Sequence, residues 1–261
     1  MSASALVIRS PVEVTFTPPQ AVIRFGMIAL ATDLTSERDA ARLIPRDRAA
    51  LHVTRVAYEN PSTPDNLRKT GPRLTAAAGL LSSVPDLAAI CYSCTAASVE
   101  IGDRAVAEAV NEACPGVPVV TPPDAAAQGF AALGIGRIAL ITPYFIETTA
   151  PMAAYFVRRG LDVVSAQCLG LADDRDMARV TSDTILAAAE AGDQPDAEGV
   201  FLSCTALPAL GVIAELEDRL GKPVICSNQA SLWRMLHHAG LAPASGAPGR
   251  LFTVAPTDRA A

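Results

Sequence analysis

The chain has 261 residues, half of them apolar, and a net charge of -6. That is ample material for two α/β lobes with a buried core. It also excludes classes of partner: no apolar run reaches the roughly 18 residues that span a bilayer, and no basic stripe offers itself to nucleic acid or an anionic membrane. The start, MSASALVIRSPVEV, lacks the basic lead and long apolar stretch of a secretion signal, so a cytoplasmic protein is expected.

Segment 1–22, with Pro18-Pro19, reads as a lead-in arm. Short apolar runs rich in β-branched residues then alternate with Ala-rich helical stretches. Strands are predicted near 23–32, 52–57, 87–92 and 117–121, with helices near 36–48, 65–82, 98–113 and 123–133. The series then restarts. Strands near 137–142, 161–166, 198–203 and 223–227 alternate with helices near 146–159, 176–191, 207–220 and 228–239. Gly160 after Arg158-Arg159, and Gly240 after His237-His238, mark helix ends. The tail from Leu241, rich in Ala, Pro and Gly, reads as loosely ordered.

The restart is an internal repeat. Ile28-Ala29-Leu30-Ala31-Thr32 returns 110 positions later as Ile138-Ala139-Leu140-Ile141-Thr142. Pro85-Asp86 returns at the same offset as Pro195-Asp196, and Ser93-Cys94-Thr95-Ala96 as Ser203-Cys204-Thr205-Ala206. Gly116-Val117-Pro118-Val119-Val120 matches Gly221-Lys222-Pro223-Val224-Ile225 at an offset of 105. A period this long means a duplicated α/β unit rather than a solenoid. Apolar strands separated by helices mean parallel sheets covered on both faces. Each half is therefore expected to be a four-stranded parallel sheet flanked by helices. The first lobe takes 1–121 plus 229–261, and the second 122–228. Ligands of such sheets bind at the carboxyl ends of the strands, which puts Asp33, Cys94, Pro143-Tyr144 and Cys204 at one edge, facing a single cleft.

Each Ser-Cys-Thr-Ala motif follows an apolar strand and opens a predicted helix. A cysteine at a helix N-terminus meets the positive end of the dipole and free N–H groups, so its thiol pKa is expected to fall. The same N–H groups can hold a carboxylate. Two thiols on opposite sides of one carbon suit a two-base reaction, in which one removes a proton and the other delivers one. They equally suit reversible thiolate addition to a double bond. Neither reaction needs a cofactor, and none is expected. Only Lys69 and Lys222 could form a pyridoxal Schiff base. The single Cys-x-x-Cys, Cys91 and Cys94, has no second pair, and His52, His237 and His238 do not complete a zinc spacing.

Other residues have plain structural readings. Cys114, Cys168 and Cys226 read as buried and inert, and Cys91 as a core residue, because its counterpart in the repeat is Phe201. Tyr144 is either a hydrogen-bond donor to a substrate oxygen or a packed tyrosine at a turn. Asp33 is either a helix cap or a ligand contact, and Asp173-Asp174 can equally be capping residues. Gly134-Ile135-Gly136 lacks the third glycine of a phosphate loop.

At Cys91-Tyr92-Ser93-Cys94-Thr95-Ala96-Ala97-Ser98, Thr142-Pro143-Tyr144, Ser203-Cys204-Thr205-Ala206-Leu207 and Pro223-Val224-Ile225-Cys226-Ser227-Asn228-Gln229-Ala230, the chain resembles the aspartate/glutamate racemase superfamily. Within it, the likeness is to the maleate cis-trans isomerase and arylmalonate decarboxylase branch, nearest to its ectoine-utilisation type, over about residues 22–241. The resemblance implies two lobes related by a pseudo-twofold axis, with Cys94 and Cys204 as the catalytic pair between them. In the isomerase type the residue at Cys94 is the nucleophile and that at Cys204 the proton donor; in the racemases both act as acid and base. Tyr144 and the backbone N–H groups around Thr95 and Thr205 would hold a substrate carboxylate. Decarboxylases keep only the second cysteine, so two cysteines argue against decarboxylation.

Two departures from the isomerase pattern are expected. Asp33 and Asp174 stand where those enzymes usually carry asparagine. A carboxylate repels a second carboxylate and favours an ammonium or amide N–H. The expected substrate is thus a small carboxylate that is an amino-acid derivative, such as an N-acetylated diaminobutyrate from ectoine ring opening. The alternatives are a maleate-to-fumarate isomerase and a small-molecule binding protein with unreactive thiols. A homodimer is the default assembly.

Overall fold

A computed structural model describes residues 8–256. Residues 1–7 and 257–261, which carry the start of the arm and the end of the tail, lie outside the described residues. From 8 to 18 the arm has no helix or strand, and a 3₁₀ turn at Pro19–Ala21 leads into the first sheet.

The first half runs β1 (Ile23–Leu30), α1 (Ser36–Leu43), β2 (Ala49–Val56), α2 (Pro64–Arg68), α3 (Leu74–Gly79), β3 (Leu87–Ser93), α4 (Thr95–Ile101), α5 (Asp103–Ala113), β4 (Val119–Val120) and α6 (Pro122–Ala132). The second runs β5 (Arg137–Thr142), α7 (Ile146–Arg158), β6 (Asp162–Cys168), α8 (Asp174–Met177), α9 (Ser182–Gly192), β7 (Gly199–Leu202), α10 (Ile213–Leu220), β8 (Val224–Cys226) and α11 (Ser227–His238). The strands form two four-stranded parallel sheets, ordered β2-β1-β3-β4 and β6-β5-β7-β8. The duplicated strands therefore hold the same places: β1 and β5 are central, and each pairs with the strand that ends in a cysteine motif.

The closing helix of each half crosses to the other sheet. Helix α11 packs on β3 and α1, while Phe130 of α6 meets Phe201 of β7 edge-on at 6.2 Å. The exchange welds the two lobes along a seam of buried side chains.

Several predicted helices are shorter or broken, each for a local reason. The 36–48 helix stops at Leu43, ahead of Pro45, because the residue before a proline is driven out of the helical region. The 65–82 helix is split by a 3₁₀ turn at Gly71–Arg73, and the 98–113 helix by Gly102, whose φ of 93° only glycine adopts readily. The 176–191 helix is two, α8 and α9, with the Thr181 side chain capping the second. The predicted 207–220 helix begins only at Ile213, after a 3₁₀ turn at Ala209–Val212.

The tail to residue 256 is docked rather than loose. Leu251 is fully buried, Gln229 donates to the Pro248 carbonyl, and Glu217 accepts from the Arg250 N–H. The Trp233 indole N–H donates to the Val254 carbonyl. Composition misjudged this segment because its anchors are single residues whose partners lie far away in the chain.

Candidate active site

A small cavity sits where the carboxyl ends of the two sheets meet. Its lining includes Asp33, Cys94, Tyr144, Asp174, Cys204 and Thr205, so six of the seven expected site residues come together. Thr95 is the exception. Its hydroxyl points along the seam and donates to Ser227 Oγ at 2.8 Å. The Thr205 hydroxyl is also occupied, donating to the Ser93 carbonyl at 3.1 Å across the seam.

The two cysteines enter on matching turns with different backbones. Cys94 is extended, with φ -153° and ψ 108°, and caps α4. Cys204 has φ 109°, a conformation a non-glycine residue adopts only under strain. Its N–H donates to Ser227 Oγ at 3.0 Å. Ser227, the first residue of α11, thus accepts from the Cys204 backbone and from Thr95, the residue after Cys94. Beside it, Asn228 donates to the Thr205 carbonyl at 2.9 Å and to Asp39 at 2.8 Å.

The thiols are not lowered as expected. Both are buried, and desolvation outweighs the helix-end donors. Burial pushes Cys204 up to about 12, against hydrogen bonds from the Tyr144 hydroxyl and the Ala206 and Leu207 N–H groups. It pushes Cys94 further up, with the Ala97 N–H as its main counterweight. The N–H groups facing the thiols thus belong to Ala97, Ala206 and Leu207, further along each turn than Thr95 and Thr205.

The two acids are also unequal. Asp33 Oδ1 accepts from the Thr35 and Ser36 N–H groups, both at 2.8 Å, and Oδ2 from Ser36 Oγ at 2.5 Å. Its carboxylate holds the turn that enters α1, while the residue also lines the cavity. Asp174 Oδ2 accepts from the Thr32 hydroxyl, but its Oδ1 is buried without a hydrogen-bond partner. Burial raises both acids, with the hydrogen bonds opposing it.

Sequence reasoning missed the rest of the wall. Tyr58 donates to Ser62 at 2.9 Å, and both line the cavity. Met177 Sδ lies 3.9 Å from Cys204 Sγ. Tyr58 follows the end of β2, so the rule that ligands bind beyond strand ends would have found it. Nothing local marks Met177, whereas Ser227 directly follows β8 and the same rule would have found it. Cys91 is fully buried in the core. Lys222 lies away from the cavity, paired with Asp193 at 2.8 Å.

Two duplicated parallel sheets presenting a cysteine apiece to a shared cavity define a class of two-lobed α/β protein. Residues 100–252 match the family model described as arylmalonate decarboxylase, and the chain belongs to that family. It is 37% identical over 155 residues to the arylmalonate decarboxylase of Bordetella bronchiseptica, a match spanning 58% of this chain and 63%, under two thirds, of that enzyme. The maleate isomerase of Nocardia farcinica is 24% identical over 88% of this chain and 95% of its own length. The crystal structure of a maleate isomerase variant from Pseudomonas putida S16 with maleate superposes with a TM-score of 0.82, at 24% identity, over 90% of this chain and 99% of that one. The expected α/β architecture is thus shared with solved relatives, and the expectation of an enzyme of isomerase type agrees with these relatives. The wider racemase superfamily is consistent with them. No helix among the described residues is long and apolar enough to cross a membrane.

Proposed function

We propose that the chain is a cofactor-independent, two-cysteine racemase or isomerase acting at the carbon next to a carboxylate. The observation that carries this is the meeting of Cys94 and Cys204, from equivalent turns of two sheets, in one cavity. A thiolate on one wall takes the α-proton: the C–H bond breaks, an S–H bond forms, and the electron pair passes into the carboxylate as an enediolate. The thiol on the other wall then gives its proton to the opposite face. The Ala97, Ala206 and Leu207 N–H groups and Tyr144 supply donors for the developing negative charge. Among such reactions, racemisation of an amino-acid derivative from ectoine ring opening fits best, because an acid, Asp174, replaces the expected asparagine in the wall.

Maleate isomerisation is the second reading, favoured by relatives that span nearly the whole chain. There one thiolate would add to the double bond, the bond left single would rotate, and the thiolate would leave.

Proton NMR in deuterated water separates the two. Wild type, Cys94→Ala and Cys204→Ala are incubated with maleate, with both enantiomers of N-acetylated diaminobutyrate, and with aspartate. Deuterium entering the α-carbon, abolished or made one-sided by either substitution, supports the racemase. Fumarate from maleate without α-exchange moves the assignment to the isomerase. Exchange or isomerisation that survives both substitutions overturns the two-cysteine reading.

A further inference from the structure

Asp174 is 4% exposed and lines the cavity together with both cysteines. Its two oxygens differ: Thr32 donates to Oδ2, whereas buried Oδ1 has no donor at hydrogen-bond distance; the Asp174 N–H and the Asn60 side chain also oppose the burial of this carboxylate, less than Thr32 does. Buried polar atoms are almost always paired, and an unpaired one beside a cavity asks for a donor from a ligand. The other acid in the wall, Asp33, already accepts at both oxygens, from three protein donors.

We infer that Asp174 selects the substrate by accepting a hydrogen bond at Oδ1 from a substrate ammonium group, and that it repels a second carboxylate. The inference rests on reading the cavity as the active site. It narrows the substrate to a carboxylate that also carries a positively charged nitrogen. A carboxylate holding an ammonium makes a charge-assisted hydrogen bond, which is stronger than a neutral one and gains from the low local dielectric. The same low dielectric makes a dianion costly here. Thr32 holds Asp174 from the first lobe while Asp174 itself opens α8 in the second, so the recognising oxygen is fixed by the closed seam.

Calorimetric titration at pH 8 tests this with three probes: Nγ-acetyl-2,4-diaminobutyrate, its des-amino analogue 4-acetamidobutanoate, and succinate. Wild type should bind the amine-bearing probe about 10- to 100-fold more tightly than the des-amino one, the worth of one hydrogen bond to a charged group. In Asp174→Asn, the amide oxygen can keep the Thr32 bond and an N–H replaces the unpaired oxygen. That preference should then collapse, and succinate should bind more tightly than it does to wild type. Equal binding of the first two probes by wild type overturns the inference, even if the variant fails to fold. So does an Asp174→Asn protein that retains the wild-type preference. These readouts need no turnover. Silence in the deuterium experiment alongside the expected binding order would sink the reaction and leave the selection standing.

Discussion

The Cys94 and Cys204 turns share four residues of sequence, the same place in their sheets and one cavity, yet they are built differently. The Cys94 turn runs straight into α4, with the Ser98 N–H and hydroxyl both donating to the Cys94 carbonyl. The Cys204 turn cannot copy this, because Pro208 has no N–H to give and its ring restricts Leu207 before it. The chain instead turns through a positive φ at Cys204 and forms no α-helix until Ile213. Helix α11 then supplies from outside, through Ser227, the hydrogen bond that holds the strained residue. The difference teaches that a repeated motif conserves a side chain's place without conserving its support. Here it leaves the two thiols unequal, with more donors on Cys204 than on Cys94.

The largest expected effect is on pH dependence. If burial rather than the helix end sets the thiols, kcat/KM on the true substrate rises about tenfold per pH unit from pH 6 to 9, because the thiolate fraction grows at that rate below the thiol pKa. A plateau near neutrality would show that the helix-end donors win. Iodoacetamide labelling with peptide mass spectrometry sharpens the contrast: Cys204 should be alkylated before Cys94 as the pH is raised.

Removing the shared support comes next. Ser227→Ala leaves the buried Cys204 N–H without its acceptor and should cost about 1–3 kcal/mol in a denaturant titration. It should also lower kcat more than it raises KM, since the thiols lose their placement rather than their identity. Restoration of kcat by Ser227→Thr would separate this role from simple packing, whereas an unchanged kcat in Ser227→Ala would end the bridging argument.

The smallest effect is the most direct comparison of the two backbones. At position 204, glycine should be more stable than alanine by about 1 kcal/mol, because glycine adopts positive φ without strain. At position 94, in the extended region, alanine should be the more stable by about 0.5–1 kcal/mol. Melting curves of the four variants give the result, and the same order at both sites would remove the strain argument.

Much of this was legible in the residues. The repeat located two parallel sheets and both cysteines, and the strand-end rule brought Asp33 and Tyr144 to the cavity. A helix-end effect on the thiol pKa is local and readable, whereas burial depends on what the other lobe places over the thiol. The groups expected to face the substrate around Thr95 and Thr205 are backbone N–H groups; the hydroxyls of both threonines cross a seam that no one-dimensional pattern displays.

By itself, the sequence determined the features that local chemistry sets: strand periodicity, the duplicated unit, the breaks at Gly102 and Pro208, and the types of reactive group. Tertiary structure decided everything that needs two distant segments at once. It crossed α6 and α11 between the sheets, docked the tail on Glu217 and Gln229, hung both cysteine turns on Ser227, and separated an Asp33 bonded at both oxygens from an Asp174 with one oxygen lacking a donor. Whether a buried polar atom is paired depends on which groups the fold brings within about 3 Å of it, and spacing along the chain does not record that distance.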